Sequence, residues 1–221
     1  LHWMVRRQRQ MCIRDSIATD STVDSLVTLT GTNAYTIVIS EDDAIGSTAS
    51  ELNIINEATS QEVDLTNVSA FESSNSDLQI LATAINNGEF INLIGQVTVS
   101  INENILEVSE LNNAVEIADI LTDDTRVIQL SLSTGATINT GDESAFRTLL
   151  TNAENGQLTI TNQNLVVDSG TLSVATANDL DAITEGTVTA EIAPDSTVDS
   201  LATLTGTNTY KIVISENDAV G

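Results

Sequence analysis

The chain has 221 residues, 32 acidic against 7 basic side chains, a formal net charge of −25, one His, one Cys and 3% aromatic residues. So negative a surface repels phosphate and argues against nucleic acid as a partner. All of its His, Trp, Met and Cys residues (His2, Trp3, Met4, Met11 and Cys12) precede residue 17. The remainder therefore lacks the parts for Ser–His–Asp or Cys–His catalysis and for the common zinc sites.

Residues 1–16 differ in composition from everything after them. Arg6, Arg7, Arg9 and Arg14 are four of the seven basic residues, whereas 17–221 carry only Arg126, Arg147 and Lys211 against 31 acids. The apolar start "LHWMV" is too short for the core of a secretory signal. The string "RRQRQMCIRDS" (6–16) resembles the translation of an adaptor used in transposase-based sequencing libraries. That resemblance implies that 1–16 is a non-native tail and forms no part of the folded unit.

A long repeat begins at Ile17. "IATDSTVDSLVTLTGTNAYTIVISEDDAIG" (17–46) returns as "IAPDSTVDSLATLTGTNTYKIVISENDAVG" (192–221), with 24 of 30 positions identical and a period of 175 residues. Self-similarity at a fixed period marks a repeat array. We therefore expect 17–221 to be a fragment of such an array, drawn from a longer protein.

Inside the long period, polar starts of the form Ser/Thr-x-x-Asp/Glu precede a leucine at Ser21–Asp24, Thr48–Glu51, Ser74–Asp77, Thr176–Asp179 and Ser196–Asp199. A hydroxyl at the cap accepts an orphan N–H, and an acid in the first turn suits the helix dipole. Apolar residues follow at helical spacing, as in Leu52 and Ile55 or Leu78 and Leu81. Two further helices are predicted over 109–121 and 143–153. Between them, strands are predicted over 35–40, 62–68, 90–101, 126–133, 157–167, 187–192 and 210–215, from β-branched runs bounded by Gly, Asn, Asp and Ser. In the first of these, Tyr35, Ile37 and Ile39 share one face, and the exchange of Thr36 for Lys211 between copies assigns the other face to solvent.

Helix and strand thus alternate in irregular units of about 21–35 residues, anchored by leucines 26, 52, 78, 111, 180 and 201 with Phe146 between. One short helix and one strand cannot bury their own apolar face, but stacked neighbours can. The expected architecture is an α/β repeat, an elongated solenoid with a parallel β-sheet backed by short helices. A pure β-solenoid is the alternative, and a string of β-sandwich modules comes third. Leu52, Ile55, Leu78, Leu81, Leu111, Leu149, Leu180 and Ile183 should be buried from the helices, with Ile37, Ile39, Leu65, Leu130 and Ile160 from the strands.

The segments "TVDSLATLTGTNTYKIVIS", "ASELNIINEAT" followed by "EVDLTNVSAF", and "ANDLDAITEGTVTAEI" resemble the Thr/Ala/Asp-rich tandem repeats of giant surface or secreted proteins of aquatic bacteria, marine cyanobacteria among them. The likeness spans most of 17–221 and is weakest over 140–170, where "ESAFRTLL" lacks the usual Asp/Asn–Leu pair. It implies a structural or adhesive, non-enzymatic segment at the cell surface or outside the cell. Its implied partners are neighbouring repeats and cell-surface or extracellular matrix components, with no membrane span. An accessory repeat region of a secreted enzyme, with its active site outside 17–221, is the alternative.

The few functional residues are oxygen ligands. Calcium prefers clustered oxygens, and the best clusters are Glu41, Asp42 and Asp43, then Asp123 and Asp124. In the second copy of the repeat Asn217 replaces Asp42, and no EF-hand loop is present. A solvated acidic loop is therefore the simpler reading of both clusters. The five aromatics after residue 16 (Tyr35, Phe71, Phe90, Phe146 and Tyr210) read as core and not as platforms for a sugar.

Overall fold

The computed structural model describes Ile17, residues 21–39 and residues 47–214. The expectation for 1–16 lies outside these residues. Among the described residues the helices are α1 (Val23–Leu26), α2 (Ala49–Glu57), α3 (Asn75–Asn86), α4 (Val108–Leu121), α5 (Glu143–Glu154), α6 (Val174–Ile183) and α7 (Val198–Leu201). Six begin on a side-chain cap: Thr22, Thr48, Ser74, Asp142, Ser173 and Thr197 each accept the N–H three residues on. At Thr48 the carboxylate of Glu51 completes a capping box. Helix α4 follows directly on a strand at Glu107 and has no side-chain cap.

Four residues after each cap stands an anchor: Leu26, Leu52, Leu78, Leu111, Phe146, Ala177 and Leu201. The first six are buried and Leu201 is half-buried. The expected caps at Ser21 and Ser196 move by one residue, to Thr22 and Thr197. The cap expected at Thr176 moves to Ser173, because Thr176 points its hydroxyl to Glu143 on the neighbouring helix, at 2.5 Å. Leu180 then falls seven residues after the cap, where Ile55, Leu81 and Leu149 stand in their own helices. Phe146 takes the anchor position in α5, so the stretch with the weakest sequence likeness keeps the same spacing.

The strands are β1 (Ile37–Val38), β2 (Val63–Asp64), β3 (Ala70–Ser73), β4 (Phe90–Ile91), β5 (Gly95–Ile101), β6 (Ile105–Glu107), β7 (Arg126–Leu132), β8 (Thr137–Asn139), β9 (Leu158–Thr159), β10 (Asn164–Val166), β11 (Val188–Glu191) and β12 (Thr209–Lys211). They form three sheets, ordered β1-β2-β4, β3-β5-β7-β9 and β12-β11-β10-β8-β6. Every strand pair is parallel, and partners lie from 20 residues apart (Thr189 opposite Thr209) to 32 (Leu106 opposite Ile138). Parallel neighbours need a long crossover, and a helix supplies it in each case. The described residues form an α/β fold with parallel sheets and helices and, among them, no closed barrel. The single expected sheet is divided into three, and the pure β and sandwich alternatives fail on the helices and on the parallel pairing.

The expected run over 90–101 splits after β4 because Asn92 adopts a φ of 59°, off the extended path, and β5 resumes at Gly95, where glycine takes a φ of 76°. Strands β3, β6 and β8 escape sequence reading. They are three or four residues long, and Ala70–Ser73 contains no β-branched residue.

In-register apolar columns run across the strands. Ile37, Val63 and Phe90 form one column; Phe71, Val99, Leu130 and Leu158 form a second; Leu106, Ile138, Leu165 and Val188 form a third. None of these residues is more than 5% exposed. Of the residues expected in the core, Ile183 and Ile160 are only half-buried, at the end of α6 and just beyond β9. The others are buried, as are all three Phe residues, while Tyr35 and Tyr210 are half-buried. Thr36 and Lys211 both meet solvent. Among the described residues no helix is long and apolar enough to cross a membrane.

Helix α3 allows a direct check of which face is the core. Leu81 is fully buried whereas its neighbour Ile80 is 56% exposed. In urea unfolding, Leu81→Ala should cost about 2–5 kcal/mol. Ile80→Ala should change stability by roughly 0.5 kcal/mol or less.

Candidate functional site

Of the acidic residues singled out in the sequence, Glu41, Asp42 and Asp43 lie outside the described residues. Asp123 and Asp124 sit in the turn between α4 and β7. The Asp123 carboxylate accepts bonds from the Thr125 N–H (2.8 Å) and hydroxyl (2.7 Å), and from the Arg126 guanidinium (3.0 Å). The bonds from Thr125, helped by the Arg126 charge, hold its pKa below the usual carboxylate range. Arg126 also donates to the Leu121 carbonyl at the end of α4. Asp123 thus closes the turn with its own neighbours, and Asp124 points to solvent. Among the described residues no group of three or more His, Cys, Asp or Glu side chains is gathered to hold a metal.

An open groove of ≈ 300 Å³ lies between α2 and α3. Asn53, Asn56 and Glu57 line it from α2, Ile80 from α3, and Asn87 and Glu89 from the turn after α3. Asn56 and Asn87 both donate to the Glu89 carboxylate, at 2.6 and 3.3 Å. Asn53 donates to the Asp77 carbonyl (3.2 Å), while its own buried carbonyl oxygen has no protein partner. An orphaned buried acceptor costs about 1–3 kcal/mol, so this oxygen suits one small donor such as a water or a hydroxyl. The groove offers amides, carboxylates and the Thr83 hydroxyl as hydrogen-bonding groups.

Many side-chain hydrogen bonds join neighbouring units. Asn53, Asn112 and Asn178 each stand five residues after a helix cap, and each donates to a backbone carbonyl of the next unit: Asp77, Ala145 and Thr203, at 3.2, 3.1 and 3.0 Å. Sequence reasoning missed this role. Its signal was the Asn that directly follows the anchor at Leu52, Leu111 and Ala177. Glu143 on α5 accepts from Ser173 (2.7 Å) and Thr176 (2.5 Å) at the start of α6 and pairs with Arg147 (3.1 Å). Burial would raise the Glu143 pKa, but the bonds from Thr176, Ser173 and Arg147 outweigh it and hold the group below the usual range. Tyr210 packs on α6, and burial together with the Asp181 charge pushes its phenol up to about 12.

Charge sets a last property. Residues 17–221 hold 31 acids against three basic residues, and mutual repulsion weakens a compact state unless ions screen it. Sodium chloride and calcium chloride at matched ionic strength should therefore raise the unfolding temperature alike. A rise specific to calcium, abolished by Asp42→Asn with Asp43→Asn, would place a cation at the first acidic cluster instead.

Compared with known proteins, the chain matches no protein-family model, no curated protein and no solved structure.

Proposed function

We propose that residues 17–221 are a structural or adhesive segment of a large extracellular or cell-surface bacterial protein, an elongated solenoid that serves as spacer or coat and performs no catalysis. The observation that carries this reading is the placement of the two 30-residue copies. The first contains α1 and β1, and β1 pairs with the strand that follows it; the second contains α7 and β12, and β12 pairs with the strand that precedes it. One sequence that takes a parallel neighbour on either side is a unit suited to extension. Asn, Thr and Glu side chains bridging successive units favour the same reading, since they stiffen the row instead of shaping a pocket. The partners are neighbouring repeats in the same chain and, through the polar acidic surface, components of the cell surface or matrix.

An exposed protein of this charge suits a salt-rich exterior, where screening acts at about 8 Å or less. Antibodies raised against the chain should label intact, unpermeabilised cells of the source, and brief external protease should remove the label. Labelling only after permeabilisation would overturn the reading.

A further inference from the structure

The duplicated segment has two different fates. In the first copy Val23, Leu26, Ile37 and Ile39 are between 0 and 5% exposed. Their counterparts 175 residues later are Val198, Leu201, Ile212 and Ile214. Val198 is 46% exposed, Ile212 43% and Ile214 54%, and Leu201 is half-buried. Chemistry cannot explain the difference, because the four residues are identical in the two copies. The covering does. Residues 47–67 lie over the first copy: β2 pairs in parallel with β1, placing Val63 opposite Ile37, and α2 packs beside α1.

The junction is also specific in its polar bonds. Ala58 O accepts from Asn33 N (3.1 Å), and Ser60 N donates to Asn33 O (2.7 Å). Thr59 Oγ1 donates to Tyr35 O (2.7 Å), and Asn67 Nδ2 donates to Ile39 O (2.8 Å). Asn33, Tyr35 and Ile39 recur as Asn208, Tyr210 and Ile214. Among the described residues β12 has a strand on one side only, β11.

We propose that the face formed by α7 and β12 is a docking surface for a further helix–strand unit with the chemistry of residues 47–67, laid down in parallel with its Val63 equivalent opposite Ile212. The occupant follows from the duplication: a surface with the same four apolar residues already carries that unit elsewhere in the molecule. It needs a capped helix with Leu and Ile at the anchor positions, then a short strand whose Val and Leu point inward, as Leu52, Ile55, Val63 and Leu65 do. This inference rests on the reading of the chain as a row of extendable units.

The test uses the whole chain. Gly46 and Gly221 occupy equivalent positions, so a copy of residues 47–91 appended after Gly221 continues the repeat in phase. The comparison is the same chain carrying a scrambled 47–91 of equal composition. Hydrogen exchange at the amides of Ile212, Val213 and Ile214 should slow by about tenfold or more with the native-order segment. The scrambled segment should leave it unchanged, and Ile214→Asp in the native-order chain should restore fast exchange. Equal protection by both segments, or none by either, would overturn the proposal. So would a concentration-dependent dimer of the unextended chain that Ile214→Asp abolishes, since the face would then belong to a second copy. If docking fails while intact cells still label from outside, this inference falls and the proposed function stands.

Discussion

No unit of this chain can bury its own apolar side. Helix α2 has nine residues and its strand β2 has two, far below what an isolated helix or hairpin needs to persist in water. The stabilising term must come from burial between units, worth about 1.5–3 kcal/mol for each fully buried Leu, Ile or Phe. That constraint explains the in-register columns. A column such as Phe71, Val99, Leu130 and Leu158 leaves each inner member covered from both sides. It also explains why the helices keep a fixed distance from cap to anchor while the loops vary. Loop length costs little, but a helix turned by one residue would lift its anchor out of the row.

Apolar burial fixes which face of each element turns inward. Polar side chains add to the register. Asn53, Asn112 and Asn178 tie one unit to a backbone carbonyl of the next, and Glu143 is bound by two hydroxyls at the start of α6. On the strand side Gln96, Gln129 and Thr159 link β5, β7 and β9 through their side chains. A slip of one unit against another would strand these groups without partners at about 1–3 kcal/mol each where they are buried. The chain thus uses amides and hydroxyls as register pins and leaves most carboxylates to water.

The helices were legible because their signals are local. A hydroxyl or carboxylate cap and an apolar residue four positions on are both written in one short stretch, and Thr48 with Leu52 and Ser74 with Leu78 read directly. Thr176 misled because two hydroxyl-bearing residues stood three apart. Only the position of Glu143, 33 residues away in sequence, decides that Ser173 is the cap. The long strands β5 and β7 were legible from β-branched runs, while β3, β6 and β8 owe their extended form to the neighbours they pair with. The division into three sheets is not visible in any local pattern, since it depends on which unit each strand meets. Among the candidate ligands, Asp123 was open to a cation or to solvent alone because an acidic pair carries no mark of its partners. Thr125 and Arg126, directly after it, were the available sign that the carboxylate is already engaged.

The central claim is that stability comes from burial between successive units along a continuous core. It is tested most directly by removing residues 168–221, which carry α6, β11, α7 and β12, and following circular dichroism and urea unfolding of the shortened chain. The account predicts that the rest stays folded, with the helical signal per residue retained and the urea m-value reduced roughly in proportion to length. Loss of the folded signal throughout the shortened chain would contradict it.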